Sequence, residues 1–220
     1  MIIAIDGTTS SGKSSITKEL AKQTKICHIN TGLIYRAITK KCLNLNISQN
    51  DDDNIKFLLE TTNLEYSYDK EKITIKIDGL IQCHKDLTSP EVSNLTPEIA
   101  QKDFVREYVR NIQKQLAKIN PSVIVEGRDI GSVVFPNADY KFYIDADINT
   151  RAERRYKDYL NQGKNITKEQ VVKDIINRDN EDQNREHSPL IMTSDSILID
   201  TTNLTIQESV DQIKKIINQQ

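Results

Sequence analysis

The chain has 220 residues, with 30 Lys and Arg against 32 Asp and Glu, a formal charge of −2, and 37% hydrophobic residues. That length and apolar share suit one domain with small insertions and a sizeable core, and the near-balanced charge excludes the broad basic footprint of a general nucleic-acid binder. With 28% charged residues but only 7 Gly and 5 Pro, the chain is neither collagen-like nor low-complexity.

The first predicted element is the apolar run at 2–5, which stops at Asp6-Gly7 and reads as a strand buried on both faces of a parallel sheet. It has no basic flank and no cleavage pattern, so no signal peptide is expected. No window approaches 18 apolar residues, and no membrane segment is expected either. Cys27, Cys42 and Cys83 are odd in number and widely spaced, which fits a reducing compartment and predicts a cytoplasmic protein.

Further along, helical periodicity marks 14–23, 33–43, 104–119, 150–160, 168–177 and 206–217, and short apolar runs mark strands at 123–125, 142–144 and 197–199. Another strand is expected just before Asn30. Strands alternating with helices predict βαβ units and a parallel sheet. Residues 50–54 read as a capped helix start. One segment breaks the rhythm: 64–68 and 73–77 are rich in β-branched and aromatic residues, and Asp78-Gly79 turns the chain into 80–83, predicting a small antiparallel meander.

The first strand runs into Gly7-Thr8-Thr9-Ser10-Ser11-Gly12-Lys13-Ser14, followed by Ser15, which matches Gly, four residues, Gly-Lys-Ser/Thr. Glycines let successive N–H groups converge on a phosphate at a helix mouth, where the helix dipole favours negative charge. Lys13 supplies a point charge to the β- and γ-phosphates, and the Ser14 hydroxyl can ligate Mg²⁺. The strand-loop-helix context is the one this pattern requires. No Asn-Lys-x-Asp segment, the base reader of a switch GTPase, occurs in the chain.

Asn30-Thr31-Gly32 opens the helix carrying Arg36, with Thr31 as the expected N-cap, so an anion could bind at that helix terminus. A plain capped helix with a solvated Arg36 fits the same residues. Glu126-Gly127-Arg128-Asp129-Ile130-Gly131 follows a buried strand, at the edge where open α/β sheets bind ligands, although a structural Arg128–Asp129 ion pair is the bland alternative. Arg151, Arg154 and Arg155 share one helical stretch, either as a solvated face or as a functional one. Arg178, Asp182 and Arg185 recur at spacings of four and three, on one helix face, as a salt-bridge ladder or an anion grip.

Together GTTSSGKSS, NTGLIYRAI, VIVEGRDIGSVVFPNADYKFYIDAD, RAERRY, RDNEDQNREHSPL and ILIDTT resemble the bacterial cytidylate kinase family of nucleoside monophosphate kinases, from residue 1 to about 217. The EGRDIG and RD-x4-NR-x3-PL segments are far more specific than the phosphate loop. The resemblance implies an α/β P-loop NTPase fold: a central parallel sheet flanked by helices, a small monophosphate-binding insertion containing the antiparallel sheet, and a short helical lid. It implies a single kinase over 1–220, with a core near 1–30, 86–148 and 190–220, the monophosphate region near 31–100 with its meander at 63–84, and the lid near 150–165.

It also implies transfer of the γ-phosphoryl group of ATP to CMP or dCMP with Mg²⁺, by a monomer that binds neither nucleic acid nor membrane. Residue by residue, Gly7 through Ser15 would hold the ATP phosphates, with Ser14 on the metal. Thr31, Arg36, Arg106, Arg128, Asp129, Arg178, Asp182 and Arg185 would grip the acceptor. Of these, Arg106 and Asp129 would read the cytosine, Asp182 with Arg178 the sugar, and Arg36, Arg128 and Arg185 the acceptor phosphate. Arg151, Arg154 and Arg155 match the lid. Lys13, Arg128, Arg154 and Arg185 would carry the catalytic charge. Two positions depart from the pattern: Asn30 replaces a common Asp, and Pro97 replaces a Ser that reads the base, a role left to Thr96 or Ser93.

The acceptor phosphate is already ionised near neutral pH, its second pKa being about 6, so no general base is needed, and His28, His84 and His187 read as structural. The nearest rival, a P-loop kinase with a hydroxyl acceptor, would need a carboxylate base such as Asp6 or Glu126. A nucleotide-dependent switch or RNA-binding module would need a basic stripe interleaved with aromatics, which 5% aromatics and no net positive charge disfavour.

Overall fold

The computed structural model describes residues 1–161, 163 and 165–218. In chain order its elements are β1 (Ile2–Gly7), α1 (Lys13–Thr24), β2 (Cys27–Asn30), α2 (Thr31–Asn44), α3 (Asp52–Thr61), β3 (Leu64–Asp69), β4 (Lys72–Ile77), β5 (Leu80–Ile81), α4 (His84–Leu87), α5 (Pro90–Gln101), α6 (Asp103–Ile119), β6 (Val123–Glu126), a π-helical turn (Ile130–Val134), β7 (Tyr140–Asp145), α7 (Ile148–Asn161), α8 (Lys168–Asn184), β8 (Ile197–Asp200) and α9 (Ile206–Ile217). They group into two compact units, Met1–Ile26 with Ser122–Gln220, and Cys27–Pro121.

In the first unit β6, β1, β7 and β8 lie side by side in that order, all parallel. Ile3, Ala4 and Ile5 are fully buried, as continuous apolar strands of a sheet covered on both faces must be. The register pairs Ile5 with Glu126, Gly7 with Ile144 and Asp145 with Asp200, so Asp6, Gly7, Glu126 and Asp145 reach one carboxyl edge together. Gly7 has no alternative there. Its φ is +152°, and a Cβ would lie 2.0 Å from the Ile144 carbonyl oxygen.

Helices α1 and α9 pack on each other, and Ile16 and Leu20 of α1 and Val210 and Ile213 of α9 are buried. Thr205 and Glu208 close a capping box at the start of α9, and Thr167 with Gln170 closes another at α8. Ala152 of α7 packs with Val171 and Ile175 of α8. The predicted end of α8 at 177 is corrected to Asn184. Apolar period stops at Ile176 because the last two turns satisfy themselves with ion pairs rather than with core.

The second unit holds α2 to α6 and the meander. β3 and β4 pair from Leu64↔Ile77 to Asp69↔Lys72 through a two-residue turn, Lys70-Glu71, with positive φ at both positions, the twist a tight hairpin favours. Ile75 and Ile77 bury against Leu33, Ala37 and Leu87. β5 is two residues long, shorter than the run to 83 that the sequence suggested.

Two further expectations change. The N-cap of α2 is Asn30, not Thr31: the Asn30 side chain accepts from the Leu33 N–H at 3.1 Å, and Thr31 is already helical. An amide caps as well as the Asp it replaces, without the charge. Helix α5 was hidden by its interior Pro97, but Ser89 caps it, Pro90 starts it, and burial of Val92, Thr96 and Ile99 outweighs the lost N–H. By contacts, residues 27–121 group together as the second unit, where α5 packs on α2 and on α6.

Candidate active site

The phosphate loop is pinned at Thr8, Thr9 and Ser11 by other parts of the first unit. Thr8 donates its hydroxyl to Asp145 Oδ1 at 2.6 Å, and Ser11 donates to the Thr8 carbonyl at 2.9 Å. The Thr9 N–H donates to Asp179 Oδ1 at 2.9 Å. Thr201 donates to the Ser11 carbonyl at 2.8 Å. Ser10 and Gly12 adopt left-handed φ values of 62° and 88°, which turn the chain into α1. No side chain caps α1 at Gly12, so the N–H groups of Lys13, Ser14 and Ser15 point out of the helix mouth as an anion-binding set.

Lys13 is buried at the base of this loop. Burial, together with the repulsion of Arg128, lowers its pKa to about 8 even though Glu126, Asp6 and Asp182 pull the other way. Ser14 donates to Glu126 Oε2 at 2.7 Å, which brings a hydroxyl and a buried carboxylate together beside the loop. Asp6 is buried, and burial raises its pKa to about 6 against the N–H groups of Gly131 and Ile130, which donate to its two oxygens at 2.7 and 2.9 Å. Asp6 thereby ties β1 to the turn that follows Arg128 and Asp129.

The arginines divide by role. Arg128 donates through Nε to Asp182 Oδ2 at 2.7 Å, while its Nη2 lies 3.4 Å from the Thr9 hydroxyl. Its partner is therefore 54 residues away and not the neighbouring Asp129. Burial works to lower the Arg128 pKa, but Asp182 holds it above its ordinary value. Asp182 also meets Arg185 Nη1 at 3.4 Å, and Arg185 Nη2 lies 3.9 Å from Asp129 Oδ1. Against a burial effect of opposite sign, Arg128 with Arg178 and Arg185 keeps the Asp182 carboxyl below its usual range. Burial and then Arg128 lower the Arg178 pKa. Arg128, Arg178 and Arg185 thus gather around Asp182, and Arg128 reaches from that cluster to Thr9 of the phosphate loop.

The expected lid arginines part company. Arg151 is buried, pairs with Asp179, and donates to the carbonyls of Thr9 at 3.1 Å and Ala146 at 2.9 Å. Arg154 donates to the carbonyls of Ser11 at 3.3 Å and Thr201 at 2.7 Å. Both hold the phosphate loop. Only Arg155 turns elsewhere, over the Tyr159 ring at 4.4 Å. Positions 162 and 164 of the expected lid lie outside the described residues.

The remaining predicted acceptor residues belong to the second unit. Thr31 Oγ1 accepts from Gln113 Nε2 at 2.7 Å, Arg36 donates to Ser93 Oγ at 2.7 Å and to the Leu87 carbonyl at 3.1 Å, and the buried Arg106 guanidinium lies 5.8 Å from the Tyr35 ring centroid. His28 is buried with its ring edge-on to Tyr68, and His84 and His187 are exposed.

Asp145, Asp179 and Thr201 were missed as site residues. Asp179 sits beside Arg178 and Thr201 follows β8, but neither carries a recognisable spacing, so only the folded chain reveals them.

A family model described as cytidylate kinase matches residues 3–219. A cytidylate kinase of Clostridioides difficile (strain 630) is 40% identical, with 99% of this chain and 98% of the relative covered. One from Pediococcus pentosaceus is 38% identical, with 98% and 94% covered. Among solved structures, the shikimate kinase of Bacteroides thetaiotaomicron superposes with a TM-score of 0.51 over 99% of this chain and 98% of that one, at 11% identity, a likeness of fold alone.

Proposed function

The chain belongs to the cytidylate kinase family, and we propose that it transfers the γ-phosphoryl group of ATP to CMP or dCMP, giving the diphosphate and ADP. The observation that carries this reading is the Arg128–Asp182 pair reaching Thr9, which sets an oriented guanidinium against the phosphate loop. The loop from Gly7 to Ser15 holds the ATP phosphates, through the N–H groups at the mouth of α1 and the Lys13 ammonium. Thr31, Arg36, Arg106, Arg128, Asp129, Arg178, Asp182 and Arg185 bind the acceptor nucleotide.

Two phosphate chains repel each other, and catalysis here is mainly cancellation of that repulsion in the transition state. Lys13, Arg128 and Arg185 supply positive charge where the phosphoryl group moves, and Arg154 fixes the loop through Ser11. The acceptor oxygen needs no base. Of the two carboxylates a hydroxyl acceptor could use as base, Asp6 has both oxygens engaged by Ile130 and Gly131, and Glu126 accepts the Ser14 hydroxyl. Of the residues considered for the base, Ser93 holds Arg36, and Thr96 donates its proton to the Val92 carbonyl at 2.6 Å. Reading of cytosine then rests on Arg106 and Asp129.

Among the described residues no cluster of three or more His, Cys, Asp or Glu forms a metal cage. The Ser14 hydroxyl and Glu126 carboxylate are hard oxygen donors of the kind Mg²⁺ accepts alongside waters and phosphate oxygens. Ser14 would hold the ion, with Glu126 orienting the hydroxyl, and the ion would neutralise β- and γ-phosphate charge. Changing Ser14→Ala should raise the Mg²⁺ concentration for half-maximal turnover about tenfold, as loss of a ligand does, and an unaltered Mg²⁺ titration would remove Ser14 from the metal's shell. Among the described residues no helix is long and apolar enough to cross a membrane. We expect a cytoplasmic monomer that binds no nucleic acid.

The decisive assay couples ADP release to a readout with ATP and Mg²⁺, offering CMP, dCMP, UMP, AMP, GMP and dTMP in parallel. Turnover confined to CMP and dCMP is the expected result. Equal use of UMP would keep the chemistry and revise the base pocket, whereas no turnover of any monophosphate by folded protein would overturn the acceptor assignment.

A further inference from the structure

Helix α8 carries two kinds of carboxylate three residues apart. Asp182 pairs with Arg128, among the residues proposed for the acceptor. Asp179, only 8% exposed, instead grips the phosphate loop directly. One Asp179 oxygen accepts the Thr9 N–H at 2.9 Å, and the other takes Arg151 Nη1, which also donates to the Thr9 carbonyl at 3.1 Å. The Arg151 Nε is spent on the Ala146 carbonyl at 2.9 Å, so the guanidinium has one orientation. Both polar ends of the Thr9 residue are therefore held by a single buried ion pair, while the Thr9 hydroxyl lies 3.4 Å from Arg128.

We propose that Asp179 is a positioning residue for the donor nucleotide: acting with Arg151, it clamps Thr9 on both sides and so sets the geometry, and with it the ATP affinity, of the phosphate loop. The proposal rests on the reading of that loop as the ATP site. Physically, the next residue, Ser10, has a left-handed φ of 62°, a conformation a non-glycine residue adopts at a free-energy cost and keeps only when its surroundings hold it. The clamp on Thr9 is the contact immediately before that strained step.

The sign of the effect separates positioning from simple electrostatics. Asp179 is an anion beside a phosphate site, so if it acted only through charge, neutralising it would tighten ATP binding. As a clamp, its removal loosens ATP binding, because the loop N–H groups lose their fixed convergence. Loss of a charge-assisted hydrogen bond to the loop predicts a weakening of about 10- to 100-fold in Asp179→Ala. Asp179→Asn retains an oxygen for the Thr9 N–H but loses the pair with Arg151, and falls between Ala and wild type.

The test is calorimetric titration of the full chain with ATP alone and, separately, with CMP alone. It compares wild type, Asp179→Ala, Asp179→Asn, Arg151→Gln and the Asp179→Asn/Arg151→Gln double variant. Expected are weaker ATP binding, CMP binding within about threefold of wild type, partial rescue by Asn, and a double variant no worse than its weaker parent, as for residues acting as one unit. Tighter or unchanged ATP binding, or equal loss of ATP and CMP binding in folded protein, would overturn the proposal. If Asp179→Ala does not fold, the Asn and Gln variants decide by the same criteria. Absence of ATP binding by the wild type would instead sink the underlying reading of the loop.

Discussion

Replacing Lys13 with methionine is expected to lower turnover by a factor of about 10³ or more and to raise the melting temperature of the protein. On the function proposed above, the catalytic loss follows from taking the Lys13 ammonium away from the β- and γ-phosphates, where a single preorganised donor contributes about 10²–10³ and a full charge more. The gain in stability follows from the lowered Lys13 pKa. At neutral pH the folded state still holds the buried ammonium, but less tightly than the unfolded chain does: its pKa falls from 10.5 unfolded to about 8 folded. The unfolded chain therefore binds more protons between these values, and stability rises with pH across that window. Below pH 8 the charged Lys13 costs at most about 3 kcal/mol, which methionine removes, for a rise of several degrees.

Wild type carries a matching signature. Above pH 8 the free protein sheds the Lys13 proton that ATP requires, so ATP affinity should fall with rising pH by up to about tenfold per unit. Thermal melts and ATP titrations from pH 7 to 10 read both effects. A Lys13→Met variant that melts earlier than wild type, or ATP binding flat across pH 8, would contradict the assignment of a strained buried cation.

The second large effect is expected at Arg128. Its Nε is committed to Asp182 and its Nη2 faces Thr9, so the guanidinium is oriented before any substrate arrives. Oriented arginines at phosphoryl transfer contribute about 10³–10⁵ in turnover, and Arg128→Met should lose that much. Arg128→Lys keeps the charge but not the fork, and should recover only a small part of it. Because Asp182 would be left beside Arg185 at 3.4 Å and near Arg178, the carboxylate stays paired and the fold should survive. Steady-state rates with CMP, together with a thermal melt, check this. A lysine variant working at more than about a third of the wild-type rate would reduce Arg128 to a structural ion pair.

Much of the candidate site was legible in the sequence. Gly7 to Ser15 form a contiguous pattern whose meaning lies in its spacing, and the buried strands beside it announce themselves as uninterrupted apolar runs. Arg128 and Arg185 stood out within dense polar segments. Asp179 and Thr201 did not, because each acts on the backbone of a residue more than 160 positions away, and a hydrogen bond to a main-chain group leaves no preference in the sequence around either end. Arg151 and Arg154 were visible as charges, but whether they cover the site or support its floor depends on which way α7 faces.

The alternation of buried strand and amphipathic helix, the phosphate loop and the meander were determined by local chemistry alone: residue periodicity, glycine geometry and turn preference act within a few positions. Tertiary structure decided the rest. It extended α8 to Asn184, carried α5 through Pro97 and joined Arg128 to Asp182 across 54 residues. Each of these trades an unfavourable local term, a charged helix turn, a missing N–H or a desolvated charge, against partners that only the folded chain brings within reach.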